Sequence, residues 1–441
     1  MRETREVGDC IGQGTAGAAL VSQVNLDKGL GEYFGDGNSD TNGGICYGDI
    51  KFQPLAYQDD IMNSSKNVMG AQVGNIRLAA LFEDKGLTAH PDKTCFIVCG
   101  SKNYKKKMEQ EVLENPLKFG NFLVKQRASD RYLGQVLHEG GLEKCAEATV
   151  SERAGRIRGA TMEIKSIVED FQMQAMGGMM AAWELWERSL VPKLLSGAGT
   201  WFGGECKEAV KICDDLQNFY WRVMLKVPES CPKLALRCEP RMIGMKWRLW
   251  EQKILLLLRV RQQDKTSLSR QVYEEGRVRG WAGLGAEVSE ICKTIQIPDV
   301  NEKSITKAEV KDAIFAHHYK DMKSEMKEKS KKLEEISHED FREVQKYFQH
   351  KSVEDVRMAF RVRCNMVNDI PANFKQKYKN NESGMKCEYC PEGVILSQSH
   401  CLECPAWEEI RRGLDLSNII DMATFFRKLI SERERLENIL V

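Results

Sequence analysis

The sequence predicts an α+β protein: a strand-bearing segment in split βαβ order, a long helical region, and a small cysteine–histidine knuckle. Three observations predict this. Short apolar runs alternate with turn residues up to about residue 140. Beyond that point apolar residues recur at helical spacing. Near the end, Cys387, Cys390, Cys401 and Cys404 crowd together with His400. The chain has 441 residues, enough for about two or three domains. Hydrophobic residues make up 42%, which supplies a packed interior. The net charge is only +1, so any polyanion partner must be met by local patches.

The elements follow in order. "GQGTAGAALVS" opens on glycines and turns apolar, and "FGDGNSDTNGG" is a loop made almost wholly of turn residues. "ICYGDIKF" reads as two short strands around Gly48 and Asp49. "PLAYQDDIM" is a second strand pair with two acids at its turn. A helix follows, capped by Asn63, Ser64 or Ser65, stopped by Gly86, with Met69, Val73, Ile76 and Ala80 as its expected buried stripe. "KTCFIV" is then a short buried strand. Strand, turn, strand, helix, strand is part of a split βαβ arrangement. From about 145 to 350 the text is helical. Met176, Met179, Met180, Trp183 and Leu190 form one core stripe, and Val210, Cys213, Leu216, Tyr220 and Val223 another. The mixed-sign run from Tyr319 to Phe348 reads as a charged helix.

Adjacent carboxylates cannot sit side by side in a core without a counter-charge. Asp59 and Asp60 therefore mark either a hairpin tip in water or a cation site. Their context favours the cation site. Upstream stands "GQGTAGAALVS"; downstream stand "GLTAHPDKTCFIV" and "RYLGQVL". This order resembles the reverse-transcriptase palm of non-LTR (LINE-type) retrotransposons, from the Gly/Gln motif onward, over about residues 8 to 203. "ATVSERAGRIRGATMEIKSIVEDF" and "LVPKLLSGAGTWFG" resemble the thumb.

The resemblance implies an RNA-directed DNA polymerase with a two-magnesium site. Asp59 would be a Mg²⁺ ligand and Asp60 its auxiliary; Lys93 would lie near the leaving pyrophosphate. Gly12, Gln13 and Gly14 would lie under the nucleotide and template. Tyr57 would meet the primer end, and Leu133 and Gly134 would form the primer-grip turn. Expected partners are an RNA template, a DNA primer or RNA–DNA duplex, and deoxynucleotides. One departure matters. The family's first catalytic aspartate precedes the Gly/Gln motif, and "MRETREVGD" does not match it. The expected domains are therefore a truncated palm over 1–143, thumb-like helices over 144–204, a helical connector over 205–380, and the knuckle with a last helix over 381–441. The chain alone is expected to be inactive. The alternative is a non-catalytic nucleic-acid-binding zinc-knuckle protein derived from such an element.

Cys387-x2-Cys390-x9-His400-x3-Cys404 supplies three thiolates and one imidazole, the donor set of a closed structural Zn²⁺ site. Cys401 is a substitute for Cys404 with poorer geometry. The segment resembles the CCHC knuckle ending many non-LTR polyproteins. Lys105, Lys106 and Lys107, and Arg153, Arg156 and Arg158, are candidate phosphate contacts. No run of about 18 apolar residues offers a membrane span, and the charged start lacks a signal-peptide core. With fifteen cysteines, this leads to the expectation of an intracellular protein of the cytoplasm or nucleus, with reduced thiols.

Overall fold

A computed structural model describes residues 30, 33, 45–52, 54–57, 60–170, 177–201, 206–281, 283–329, 343–367, 386–391 and 393–439. The protein is mixed α+β, with helix dominant. The strands come first. β1 (Cys46–Tyr47) and β2 (Ile50–Lys51) form one hairpin; β3 (Leu55–Tyr57) and β4 (Asp60–Met62) form the next. α1 (Val68–Lys85) follows, then β5 (Cys95–Phe96) and α2 (Lys102–Glu114). β6 (Lys118–Phe119) pairs with β7 (Phe122–Leu123), and β8 (Lys125–Gln126) runs parallel to β5. β9 (Ser129–Tyr132) and β10 (Gln135–His138) close the series as a hairpin.

Here the structure corrects the expected sheet. Among the described residues the strands bond in five separate pairs, not as one βαβ sheet. β5 does not extend the β3–β4 hairpin; it pairs with β8 instead. α1 brings a second correction. Its buried residues are Val68, Gly70, Gly74, Leu78 and Leu81, while Met69, Ile76 and Ala80 are exposed. Met69 keeps 73% of its surface and Ile76 keeps 59%. The reason is that α1 is apolar on both sides, so spacing alone offers two stripes. The core that chooses between them holds Leu30, Phe119 and Val124, with Ala56 and Ile61 of the hairpin packed on it. Asn67, not Asn63, Ser64 or Ser65, caps the helix, its side chain accepting from the Gly70 N–H. Gly86 closes it in the left-handed conformation. Gly74 has a packing duty: a Cβ there would stand 2.1 Å from the Asn63 amide nitrogen.

The helical body starts with α3 (Leu142–Glu169). Ala146, Val150, Ala154, Ile157, Thr161, Ile164 and Val168 are buried at three- and four-residue spacing, an apolar stripe along its whole length. α4 (Gly178–Leu185), a π-turn at Trp186–Leu190 and α5 (Val191–Leu194) make one continuous rod. In the π-turn the Val191 N–H reaches back to the Trp186 carbonyl. Pro192 has no N–H to give and would crowd a regular turn, so the widened turn sits where the proline needs it.

α6 (Lys207–Leu225) packs along α3, with α7 (Lys233–Cys238) across its end. α8 (Met245–Gln262), α9 (Leu268–Val278), α10 (Leu284–Thr294) and α11 (Lys307–Lys329) build a second layer around Trp247, Ile254, Leu257, Val288 and Ile314. α12 (Val353–Arg363) returns to α3 and α6. The short α13 (Gln398–Glu403) and α14 (Glu408–Arg411) lead into α15 (Ile419–Ile439), which lies on α12.

One core runs through this body from Ala146 to Leu429. Trp186, Tyr220, Trp221 and Phe348 stack in series with ring centroids 4.8 to 5.9 Å apart. The Tyr220 hydroxyl donates to the Ala182 carbonyl at 2.6 Å, which pairs its one polar atom. Three charges are buried in the helical body. Arg357, 1% exposed, donates to Glu169, Glu354 and the Met224 carbonyl and so ties α12 to the ends of α3 and α6. Glu239 accepts from Arg363 and Tyr347. Lys253 pairs with Glu287. Each buried charge has its counter-charge, as desolvation demands. Among the described residues, no helix is long and apolar enough to cross a membrane.

Candidate functional site

The β3–β4 hairpin faces two ways. Ala56 and Ile61 pair across the strands and point at the α1 core, while Tyr57 and Asp60 pair at the tip and are exposed. Directly opposed residues share a face, so the Tyr57 ring and the Asp60 carboxylate stand together. Asp59, Gly12, Gln13 and Gly14 lie outside the described residues.

A second hairpin meets the first. Leu133 and Gly134 are the two turn residues between β9 and β10, with φ of +49° and +75°. Positive φ at both positions matches the right-handed twist of a two-residue hairpin, at a cost for the leucine. The Tyr132 hydroxyl donates to the Leu55 carbonyl of β3 at 3.2 Å. Burial raises the Tyr132 pKa, and the charge of Asp60 adds to the rise, so this phenol remains a neutral donor. Arg153 on α3 braces the same turn. It donates to the carbonyls of Gly134 at 2.6 Å, Ser196 at 2.7 Å and Leu194 at 3.0 Å. Two segments about seventy-five residues apart in sequence are thereby brought together and fixed to the helical body.

Lys93 stands exposed in the turn entering β5, and its side chain forms no ion pair among the described residues. Its neighbour Asp92 pairs with Lys125 at 2.9 Å, which holds the Asp92 carboxyl below its ordinary range. Cys95 donates to Asp130 at 2.7 Å; burial and that carboxylate push its thiol up to about 12, so it is no nucleophile.

The basic residues divide. Arg153 spends its donors on backbone carbonyls and is a brace, which corrects its candidacy as a phosphate contact. Arg156 pairs with Glu152, and Arg158 lies over the Phe219 ring. Lys105 and Lys107 pair with Glu139 and Glu111, while Lys106 is exposed. Tyr132 and Arg153 were the positioning residues that sequence reasoning missed in these roles. The signal was faint: Tyr132 immediately precedes a Leu-Gly turn, and Arg153 interrupts an apolar stripe.

At the other end of the chain, Cys387, Cys390, His400 and Cys404 form a Cys3His cluster that can hold a metal ion. Their ligand atoms all lie within 4.8 Å of one another. The Cys387 and Cys404 sulfurs are 4.0 Å apart, and the Cys390 sulfur is 3.5 Å from His400 Nε2. A tetrahedron with metal–sulfur bonds of about 2.3 Å has edges of ~3.8 Å, so the donors already stand near bonding positions. Local structure sets them there. Lys386 and Ile395 bridge, and the Cys387 N–H donates to the Val394 carbonyl, folding the first pair into a tight loop. Ser397 caps α13 by accepting from the His400 N–H at 3.1 Å. Cys401, fully buried, is not part of the cluster; burial pushes its thiol up to about 12, and the fourth member is Cys404. Gln398 donates to the Val362 carbonyl at 3.0 Å, and Arg411 to the Cys404 carbonyl at 2.7 Å. Tyr389 and Trp407 pack ring to ring alongside, at 4.7 Å. The knuckle is thus pinned to the end of α12. Among the described residues it is the only group of three or more metal-ligating side chains.

No protein-family model matches this chain, and no curated protein or solved structure matches it. The functional reading therefore stands on the fold and these sites.

Proposed function

We propose that this chain is the nucleic-acid-handling part of a non-LTR-type reverse transcriptase, in which the β3–β4 and β9–β10 hairpins form a catalytic tip and a primer-end support. The observation that carries the reading is the meeting of those hairpins through Tyr132, Leu55 and Asp60. A polymerase needs its metal-bearing acids beside the element that holds the primer end, because phosphoryl transfer depends on positioning and charge stabilisation. In this reading Asp59 and Asp60 are magnesium ligands, Tyr57 contacts the primer end, and Lys93 serves the leaving pyrophosphate. The Cys3His group holds zinc: three sulfurs and a nitrogen at tetrahedral spacing favour that metal, and four protein ligands leave no open position for catalysis.

Two acids from one hairpin do not complete a two-metal site. The chain alone is therefore expected not to extend a DNA primer on RNA. Supplying an upstream palm segment in trans should restore extension, and Asp59→Ala should then abolish it. Robust extension by the unsupplemented chain would refute this account of the site. Restored extension that survives Asp59→Ala would refute its assignment as a ligand. The second reading, a non-catalytic nucleic-acid-binding zinc protein, is favoured by one observation. It is the Cys3His cluster, whose four protein ligands can hold a metal away from the β3–β4 hairpin.

A further inference from the structure

We infer that the cleft between α6, α7 and the start of α8 binds the phosphate backbone of a single-stranded nucleic acid; this inference rests on the nucleic-acid reading above. The cleft holds a cavity of about 300 Å³. Five cations line it: Lys207, Lys211, Lys233, Arg237 and Lys246. Asp214 and Asp215 line it too, and Glu208 pairs with Lys211 at 3.4 Å, so five cations meet three carboxylates in a chain whose total is +1. Such a concentration of like charge costs stability unless an anion joins it.

The cations are held in place before any ligand arrives. Lys233 pairs with Asp215 at 3.1 Å and Arg237 with Asp214 at 3.4 Å. Lys246 lies 4.5 Å over the ring of Trp250, which itself lines the cleft. Asp214 also accepts from the Met245 N–H at 3.1 Å, so the first turn of α8 opens into the same space. That turn contains no acidic residue and puts Lys246 on the cleft, while its Arg248 pairs with Glu187 at 2.5 Å. A cation at a helix N-terminus opposes the macrodipole, and a bound phosphate reverses the sign of both terms.

The arrangement suits a strand rather than a lone nucleotide. Lys207 and Lys211 lie one turn apart on α6, and Lys233 and Arg237 one turn apart on α7, giving two short cationic rows on facing walls. Phosphates repeat along a strand and can engage both. Besides Trp250, the apolar lining is limited to Val210 and Leu249, which makes no enclosed slot for a base. Recognition is then by backbone charge, with little sequence preference.

The test uses the full chain with a fluorescein-labelled uridine oligomer of about fifteen nucleotides, followed by anisotropy over a range of salt. Lys211, Lys233 and Lys246 are exposed, so Lys211→Gln/Lys233→Gln/Lys246→Gln should leave the fold intact, checked by an unchanged thermal midpoint. It should weaken binding at least tenfold and lower the salt slope by about two, at ~0.7 per phosphate contact on a single strand. Lys265→Gln/Lys293→Gln/Lys303→Gln removes the same charge from exposed positions elsewhere and should change affinity less than twofold. Equal losses in both variants would mean non-specific attraction and overturn the cleft. So would wild-type affinity and slope in the first variant, while leaving the nucleic-acid reading intact. No binding by the wild-type chain would sink both. Displacement of the oligomer by ATP at matched phosphate concentration would assign the cleft to a mononucleotide and refute the strand.

Discussion

His318 should make this protein acid-sensitive well above the carboxylate range. The ring is 6% exposed, tilted against Trp247, with Nε2 3.1 Å from the Met242 carbonyl. Burial lowers its pKa to about 4 from an ordinary 6.5, and Arg237 and Arg248 nearby add to the lowering; the Met242 carbonyl works the other way. The folded state therefore resists a proton that the unfolded chain accepts. For a base depressed in this way, the stabilisation is complete above 6.5 and is lost as pH falls from 6.5 towards 4. One proton costs about 1.4 kcal/mol per pH unit across that window. Between pH 7 and pH 5 the loss is about 2 kcal/mol, and its limit is about 3 kcal/mol. His318→Gln keeps a neutral donor for the Met242 carbonyl and removes the titration. Urea unfolding of both proteins at pH 7, 6 and 5 isolates the difference, since every other group titrates in both. The wild-type protein should lose about 2 kcal/mol more than the variant over that range. Parallel pH profiles, or an imidazole that titrates near 6.5 by NMR, would refute the reasoning.

Purified without chelator, the protein should contain one zinc per chain, and Cys387→Ala/Cys390→Ala should lose it. Metal content near zero in the wild type, or full retention in the double variant, would count against the site. Because Cys387, Cys390 and Cys404 share a core with α12 and α15, zinc removal should also loosen Phe425 and Phe426, read as faster amide exchange in α15. Leu133→Asn should stabilise the β9–β10 hairpin by about 1 kcal/mol, because asparagine tolerates positive φ better than leucine. A destabilised variant would show that the leucine side chain packs more than its exposure suggests. In native-state hydrogen exchange, described amides of residues 52–62 should exchange much faster than those of the Trp183 helix, since the β3–β4 hairpin pairs with no other strand among the described residues. Equal protection would mean that another segment covers its edge.

Legibility in the sequence followed the range of the signal. The Cys3His spacing is short-range and named its ligands, down to Cys404 over Cys401. Gly86 announced a helix end because only its conformation was needed. The face of α1 was misread because Val68, Gly74, Leu78 and Leu81 compete with Met69, Val73, Ile76 and Ala80 at the same period. Contacts from Leu30 and Phe119 break that tie, and neither is near in sequence. The burial of Arg357, Lys253 and Glu239 has no local sign in the sequence, because it depends on partners up to 188 residues away. The cationic cleft was invisible for a similar reason: Lys207, Lys233 and Lys246 are scattered along the chain and converge only when three helices fold together.

The single core from Ala146 to Leu429 fixes an order of events during synthesis. α3 leaves the ribosome before its partners, with an apolar stripe from Ala146 to Val168 ready to pack. Its partner α6 follows within seconds and brings Lys226 to Glu169, but Arg357, the second cation on that carboxylate, comes 188 residues later. At about 5–20 residues per second, the nascent helices wait on the order of 10–40 s for α12. α15 and the metal-holding loop arrive later still. Throughout that interval Trp221 lacks Phe348, and Glu169 at the end of α3 has Lys226 but not Arg357. The growing chain thus exposes an open core until α12 emerges, and a ribosome that stops before Val353 releases a product with that core open.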